Sequence, residues 1–286
     1  MNDNTQNKVN LRPLWDAILE VYKVIADICN RHSLRYCASY GTALGAVRHG
    51  GFIPWDDDLD IEMPRPDYEL FIEIAKKELP EGYSWLDQYN CDTYENPFGK
   101  VIVSNENIVD RVSAESGLSL GYGIFVDIFP VDGYPDTKYG ILWRKFENIL
   151  VEMSLLASVP DKRRLAWRSK IAAFIGSFVY IPYYRIKSHK EQCMFYERRA
   201  KKLSFGNSKM CTSIGVGHYY SGKAYPVSFW DNLRSVPFEN TQMLVHGQVD
   251  AYLTLLYGDY MTLPPEDKRK GTHANTALMP WRLGPR

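Results

Sequence analysis

Asp56, Asp57, Asp58 and Asp60 put four carboxylates into five positions, after a Gly50-Gly51 break and directly ahead of the apolar Ile61. Like charge at that density is destabilising unless something cationic sits among it. Upstream, the small-residue turn Gly41-Thr42 opens a short helix that carries Arg48 and His49 near its end. A helix start of this kind offers free N–H groups and the positive end of a dipole to a phosphate, and Thr42 adds a hydroxyl donor. The stretch from Tyr40 to Met63 therefore reads as a divalent-metal and phosphate site that the rest of the chain must frame.

Strand geometry sharpens this. With a period of two, Asp56, Asp58 and Asp60 share one face if the strand begins that early, Leu59 and Ile61 face a core, and Asp57 points away. Asp58 and Asp60 then stand ~7 Å apart, close enough to reach one or two Mg²⁺ ions, or Mn²⁺ in their place. A further carboxylate, Asp127, sits alone in the apolar run Gly123-Ile-Phe-Val-Asp-Ile-Phe-Pro130. A lone acid there needs a cation or strong donors. If its strand neighbours the first, three carboxylates converge on metals that bridge phosphate oxygens in an in-line displacement. Arg48 and His49 are placed to neutralise a second phosphate or orient an acceptor. Lys100, on another expected strand, either reaches a donor phosphate or is a surface lysine.

Competing chemistries fit less well. Asp56-x-Asp58-x-Asp60 has the start of a calcium loop, but Ile61 and Asp67 fall where Gly and Glu are required, and Pro64 lies between. No Gly-x-x-x-x-Gly-Lys-Ser/Thr occurs, and Gly215-Val-Gly217 reads as a turn. The 6 histidines include no His-Glu-x-x-His pair, which disfavours a zinc hydrolase.

At 286 residues the chain can bury one large core or two modest ones. Its formal net charge is +0, so nothing global points to nucleic acid. The 5 cysteines are scattered without a Cys-x-x-Cys pair, which suits reduced thiols in the cytoplasm. The polar N-terminus does not resemble a signal peptide, and no apolar run reaches the ~18 residues of a spanning helix.

Along the chain, Leu11, Leu14, Ile18, Val21, Ile25 and Ile28 predict an amphipathic helix to Arg31, with Pro13 tolerated in its first turn. Strands are expected over 34–39, from the acids to Pro64, at 83–89, 100–103 and 123–130. Asp67 is expected to cap a helix with Tyr68, Phe71, Ile72, Ala75 and Leu79 inward. Helical patterns follow at 138–157, 163–180, 189–204 and 246–257. The expected organisation is an α/β (α+β) protein. Residues 1–33 form a helix packed on a mixed-sheet core at 34–135; a mainly helical region at 136–257 and a tail at 258–286 follow.

The run from Gly41 to Ile61 closely resembles the signature of the LicD family, phosphocholine transferases of bacterial cell-surface polysaccharides related to the fukutin-type ribitol-phosphate transferases. Phe125-Val-Asp-Ile-Phe-Pro-Val-Asp132 and Tyr257-Gly-Asp-Tyr-Met-Thr-Leu-Pro-Pro-Glu-Asp-Lys-Arg269, with His273 beyond, also resemble it. The resemblance implies a nucleotidyltransferase-like fold. It matches Gly41 and Thr42 to the family's turn, Asp58 and Asp60 to its acid pair, Asp127 to its third acid, and Asp56 to the outer acid of fukutin-related members. The implied reaction moves a substituted phosphate from a donor such as CDP-choline to a sugar hydroxyl of a glycan or lipid-linked polysaccharide, releasing CMP. Asp127 would act as metal ligand, general base, or both. Two alternatives stay open: transfer of the nucleotide monophosphate itself, and a non-catalytic metal- or phosphocholine-binding module. Lys268, Arg269 and His273 would fold back over the nucleotide or remain a solvated tail, and Trp55 would stack on a base or choline cation or anchor its loop.

Between Asp161 and Lys202 twelve Lys and Arg face three acids. Amid them, 171–181 is apolar but too short to span a bilayer. Residues 163–187 are thus either a helix lying at the inner face of a membrane or a buried helix with solvated basic flanks.

Overall fold

A computed structural model of the chain describes residues 9–91, 94, 96–118, 120, 123–158, 171, 174, 189–213 and 223–269. The chain divides into two compact units. One runs over Met1–Leu86, Gly99–Ile128 and Phe229–Arg286, the other over Asp87–Phe98 and Phe129–Ser228.

The first unit begins with helix α1 (Arg12–Arg31), whose buried stripe includes Leu14, Ile18, Val21, Ile25 and Ile28, as the spacing predicts. Each such aliphatic side chain contributes roughly 1.5–3 kcal/mol on burial. Strand β1 covers only Cys37–Ala38, shorter than the expected 34–39. Ser33 (φ 55°) and Tyr40 (φ 44°) put left-handed backbone on both sides of it, which an extended strand cannot continue through. Helix α2 spans Tyr40–Arg48 and strand β2 spans Asp60–Pro64.

Here the expected strand from Asp56 is corrected. Pro54 and Trp55 form a turn, closed by the Asp56 N–H donating to Ile53 O at 2.8 Å, and the chain stays irregular until Asp60. Helix α3 (Arg65–Glu78) starts earlier than expected, with Pro64 as its cap residue. Asp67 is inside the first turn, where its charge complements the helix dipole and its carboxylate meets Arg35 at 2.8 Å.

Strands β3 (Tyr83–Leu86) and β4 (Gly99–Val103) are followed by helix α4 (Glu106–Ser116) and strand β5 (Phe125–Tyr134). The sheet order is β1-β2-β5-β4-β3, mixing parallel and antiparallel pairs. It thus sets the strand of Asp60 beside the strand of Asp127. α1 lies against α3, α4 and β4.

The unit closes with hairpin β8 (Arg234–Phe238) and β9 (Thr241–Val245) and a last helix, Val249–Tyr257, together with a single turn at Glu266–Lys268. α2 lies against β2, β8 and that last helix.

The second unit holds helix α5 (Lys138–Ser158), helix α6 (His189–Ala200), and strands β6 (Met210–Ser213) and β7 (Tyr225–Pro226). The Val249–Tyr257 helix is accordingly α7. β6 pairs antiparallel with residues 131–134 of β5, and α5 packs on α6. On α6 the buried Glu197 accepts from Gln88 Nε2 (2.7 Å) and Tyr89 OH (2.5 Å). Ile171 and Phe174 are exposed, while the rest of the 163–187 stretch, Gly215-Val-Gly217 and His273 lie outside the described residues. No described helix is long and apolar enough to cross a membrane.

Candidate active site

The acidic loop is held from several sides. Trp15 of α1 stacks on Phe52 (centroids 5.2 Å apart) and donates its indole N–H to Asp56 O at 2.8 Å. Phe52 also meets Phe238 edge-on at 5.0 Å. Glu239, in the turn of the β8–β9 hairpin, accepts the Phe52 N–H at 3.1 Å and an Arg12 N–H at 2.7 Å. The Gly-Gly break has a separate cause at each position. Gly50 adopts φ +66°, and a Cβ on Gly51 would lie 2.1 Å from Glu239 Oε1.

Held in this way, Asp56, Asp57 and Asp58 each offer a carboxylate oxygen within 4.8 Å of the others. At that spacing each pair repels by about 3 kcal/mol at an effective dielectric constant of ~20. Asp57 is buried and belongs to this cluster, so its expected outward orientation is corrected: the irregular backbone removes the alternation that would have turned it away.

Asp60 opens β2, and its N–H donates to Thr42 Oγ1 at 2.8 Å. That bond makes Thr42 the residue that sets α2 in register with β2. The Asp127 N–H donates to Leu59 O at 3.0 Å, which brings the residue just ahead of β2 against the early part of β5. Tyr257, at the end of α7, links the acids from the other side. Part of its ring is exposed, but its hydroxyl has a raised pKa, first from desolvation and then from the charges of Asp60, Asp56 and Asp58.

Lys100 lies directly across from Asp127 in the β4–β5 register. Its Nζ is 2.8 Å from Asp127 Oδ1 and 3.6 Å from the Phe125 ring centroid. The surface reading of Lys100 is therefore corrected: it is buried and supplies the cation that Asp127 requires in an apolar strand.

Gly41 allows a close approach: a Cβ there would meet Asp56 Oδ2 at 2.8 Å. Ser39 precedes α2 without a side-chain capping bond, so the first-turn N–H groups are not satisfied in that way. Arg48 reaches the C-terminal segment and donates from Nη1 to Tyr260 O at 2.7 Å; its partial burial lowers its pKa. The His49 pKa is lowered by burial and by Arg48, and its ring meets Trp55 edge-on at 6.4 Å. Arg269 lies 5.6 Å from the Trp55 ring centroid, so the chain from Tyr260 to Arg269 does run back to α2 and its following loop.

A second polar cluster went unforeseen. Glu62, two residues beyond Asp60 on β2, has Oε1 2.6 Å from His246 Nε2, with both residues fully buried. His246 Nδ1 is 3.2 Å from Phe229 O, and Cys37 Sγ lies 3.6 Å from Nε2. Trp230 and Tyr252 flank the ring, at 4.9 and 4.7 Å. Strand alternation extended past Asp60 would have picked out Glu62; nothing local marks His246.

All-carboxylate donors suit a hard cation such as Mg²⁺ or Mn²⁺ rather than a soft one. The clustering of Asp56, Asp57 and Asp58 thus fits a divalent ion. The helix start, which no side chain caps, fits a phosphate once a cation offsets the Asp56 carboxylate beside it.

Several known proteins resemble this chain over the region of the site. Residues 33–146 match the family model described as LicD/FKTN/FKRP, nucleotidyltransferase domain. The lipopolysaccharide cholinephosphotransferase LicD of Haemophilus influenzae is 29% identical over 284 residues, covering 95% of this chain and 99% of that protein. An uncharacterized protein of Rickettsia typhi is 38% identical over 138 residues, 46% of this chain and 41% of its own. Another, from Rickettsia prowazekii, is 42% identical over 69 residues, 23% of this chain and 26% of its own. The matched segment contains every acid of the candidate site together with Gly41, Thr42, Arg48, His49 and Lys100, and through this nucleotidyltransferase domain the chain is similar to the LicD family.

Proposed function

We propose that this enzyme, a transferase by family, moves phosphocholine or a similar substituted phosphate from a CDP-linked donor to a hydroxyl of a cell-surface polysaccharide and releases CMP. The observation that carries the reading is the cluster of Asp56, Asp57 and Asp58 beside a helix start that no side chain caps, on a loop leading into the strand that neighbours the strand of Asp127. The similarity to the Haemophilus cholinephosphotransferase supports the choice of head group and acceptor class.

Asp58, Asp60 and Asp127, with Asp56 beside them, would hold the divalent ion. That ion supplies charge neutralisation on the phosphate oxygens. The α2 start receives the donor's phosphate through its N–H groups. The acceptor oxygen attacks phosphorus, the bond from phosphorus to the CMP oxygen breaks, and CMP leaves with that electron pair. Asp127 takes the acceptor's proton, and Lys100 counters its charge before the proton arrives.

The test is incubation of the purified chain with CDP-choline, Mg²⁺ and a glycan acceptor. Free CMP with a choline-bearing glycan is expected. A nucleotide-bearing glycan would replace this reading with nucleotidyl transfer, and donor binding without turnover would make the chain a binding module.

A further inference from the structure

Helix α5 carries its apolar residues on the outside. Tyr139, Leu142, Trp143, Phe146 and Ile149 are all exposed, with relative accessibilities between 51% and 86%. At 100° per residue they fall within an arc of about 120° on one side of the helix. The opposite side is engaged elsewhere. α5 packs on α6, and Glu147 pairs with Arg199 of that helix. Thr137 Oγ1 caps α5 by accepting the Gly140 N–H at 3.1 Å, so its start is well defined. A solvent-facing row of five large apolar side chains is the inverse of an ordinary surface helix and marks a surface that something covers.

Charge indicates what covers it. Lys138 and Lys145 are exposed and border the row on its Leu142–Ile149 side. Glu147, the acid at the other border, is neutralised by Arg199 and also accepts from Trp143 Nε1 at 2.7 Å. In sequence, residues 138–209 carry sixteen Lys and Arg against five Asp and Glu, within a chain of net charge +0. The row itself mixes Tyr and Trp with aliphatics, the composition that settles at the level of lipid headgroups, with lysines reaching outward to phosphates.

We infer that the exposed face of α5 docks on an anionic lipid surface, with Trp143 and Phe146 at its centre and Lys138 and Lys145 at its rim. This rests on α5 alone and stands apart from the assignment of the reaction.

The full chain is mixed with neutral vesicles and with vesicles containing phosphatidylglycerol, and binding is read by co-sedimentation. Binding to the anionic vesicles, weakening with salt, is the expected result. The Trp143→Ser/Phe146→Ser double variant should bind at least about tenfold more weakly while keeping its helical circular dichroism and its melting temperature. Lys138→Glu and Lys145→Glu should each cost about fivefold. Absence of binding by the intact chain, or equal binding by the double variant, overturns the inference. So does a dimer in sedimentation equilibrium that the double variant dissociates, since the face would then belong to a second copy.

Discussion

Strand β2 serves two polar clusters only two residues apart, and they are built on opposite principles. Around Glu62, His246 and Cys37 every member is fully buried, one carboxylate faces one imidazole, and aromatic rings close the space. Around Asp56, Asp57, Asp58 and Asp60 four acids crowd into five positions, three of them with carboxylate oxygens within 4.8 Å of one another, and the cluster is partly open. A polar group with a matched partner inside the fold specifies geometry, whereas acids crowded together favour a ligand that completes them. The sealed cluster thus reads as structural support for the strand that starts the open one.

The largest expected effect would break the open cluster. Asp58→Asn and Asp60→Asn should each lower transfer by about 10³-fold while leaving the melting temperature within a few degrees. Comparable loss of activity and of fold in these variants would erase the contrast. His246→Ala should do the reverse, costing roughly 3–5 kcal/mol in urea unfolding because Glu62 is left buried without its imidazole. An unchanged unfolding midpoint would sink the support role.

Lys100→Met probes the join between charge balance and ligand demand. It should destabilise by about 3 kcal/mol, with a substantial part regained on adding Mg²⁺ in thermal melts. Melts that ignore Mg²⁺ would remove Asp127 from the ion's reach. Gly41→Ala should lower kcat/KM roughly tenfold by displacing the Asp56 carboxylate, with little change in stability. An activity equal to wild type would show that Asp56 moves aside freely.

The smallest effect concerns His49, whose pKa is lowered in the fold. Its contribution to stability is present above the unfolded value of about 6.5 and is lost as pH falls through the folded one. His49→Asn should flatten that part of the pH–stability curve, and an unaltered slope would assign it to other groups.

The acids were visible from spacing and chemistry, and Asp127 from its isolation among Ile and Phe. So was α1, because a buried helix face writes its period directly into the chain. What misled was the start of β2. Spacing alone extends strand alternation back through Asp56, but the turn at Pro54 and the bond from Trp15 to the Asp56 carbonyl hold that backbone out of the sheet. The role of Lys100 depended on a cross-strand register, and that of His246 on a partner 184 positions away. Neither leaves a local trace. Arg48 was expected at a phosphate, and the Tyr260 carbonyl it reaches is equally remote in sequence.

The third segment of the first unit, from Phe229 onward, carries a consequence for synthesis. His246, Tyr257 and the Tyr260 carbonyl all close against residues between Arg48 and Glu62. Loops that long close late, and chains emerge N-terminus first. A nascent chain must therefore carry its crowded aspartates and exposed β2 until the segment from Phe229 to Tyr260 has left the ribosome, so the site matures long after its acids are made.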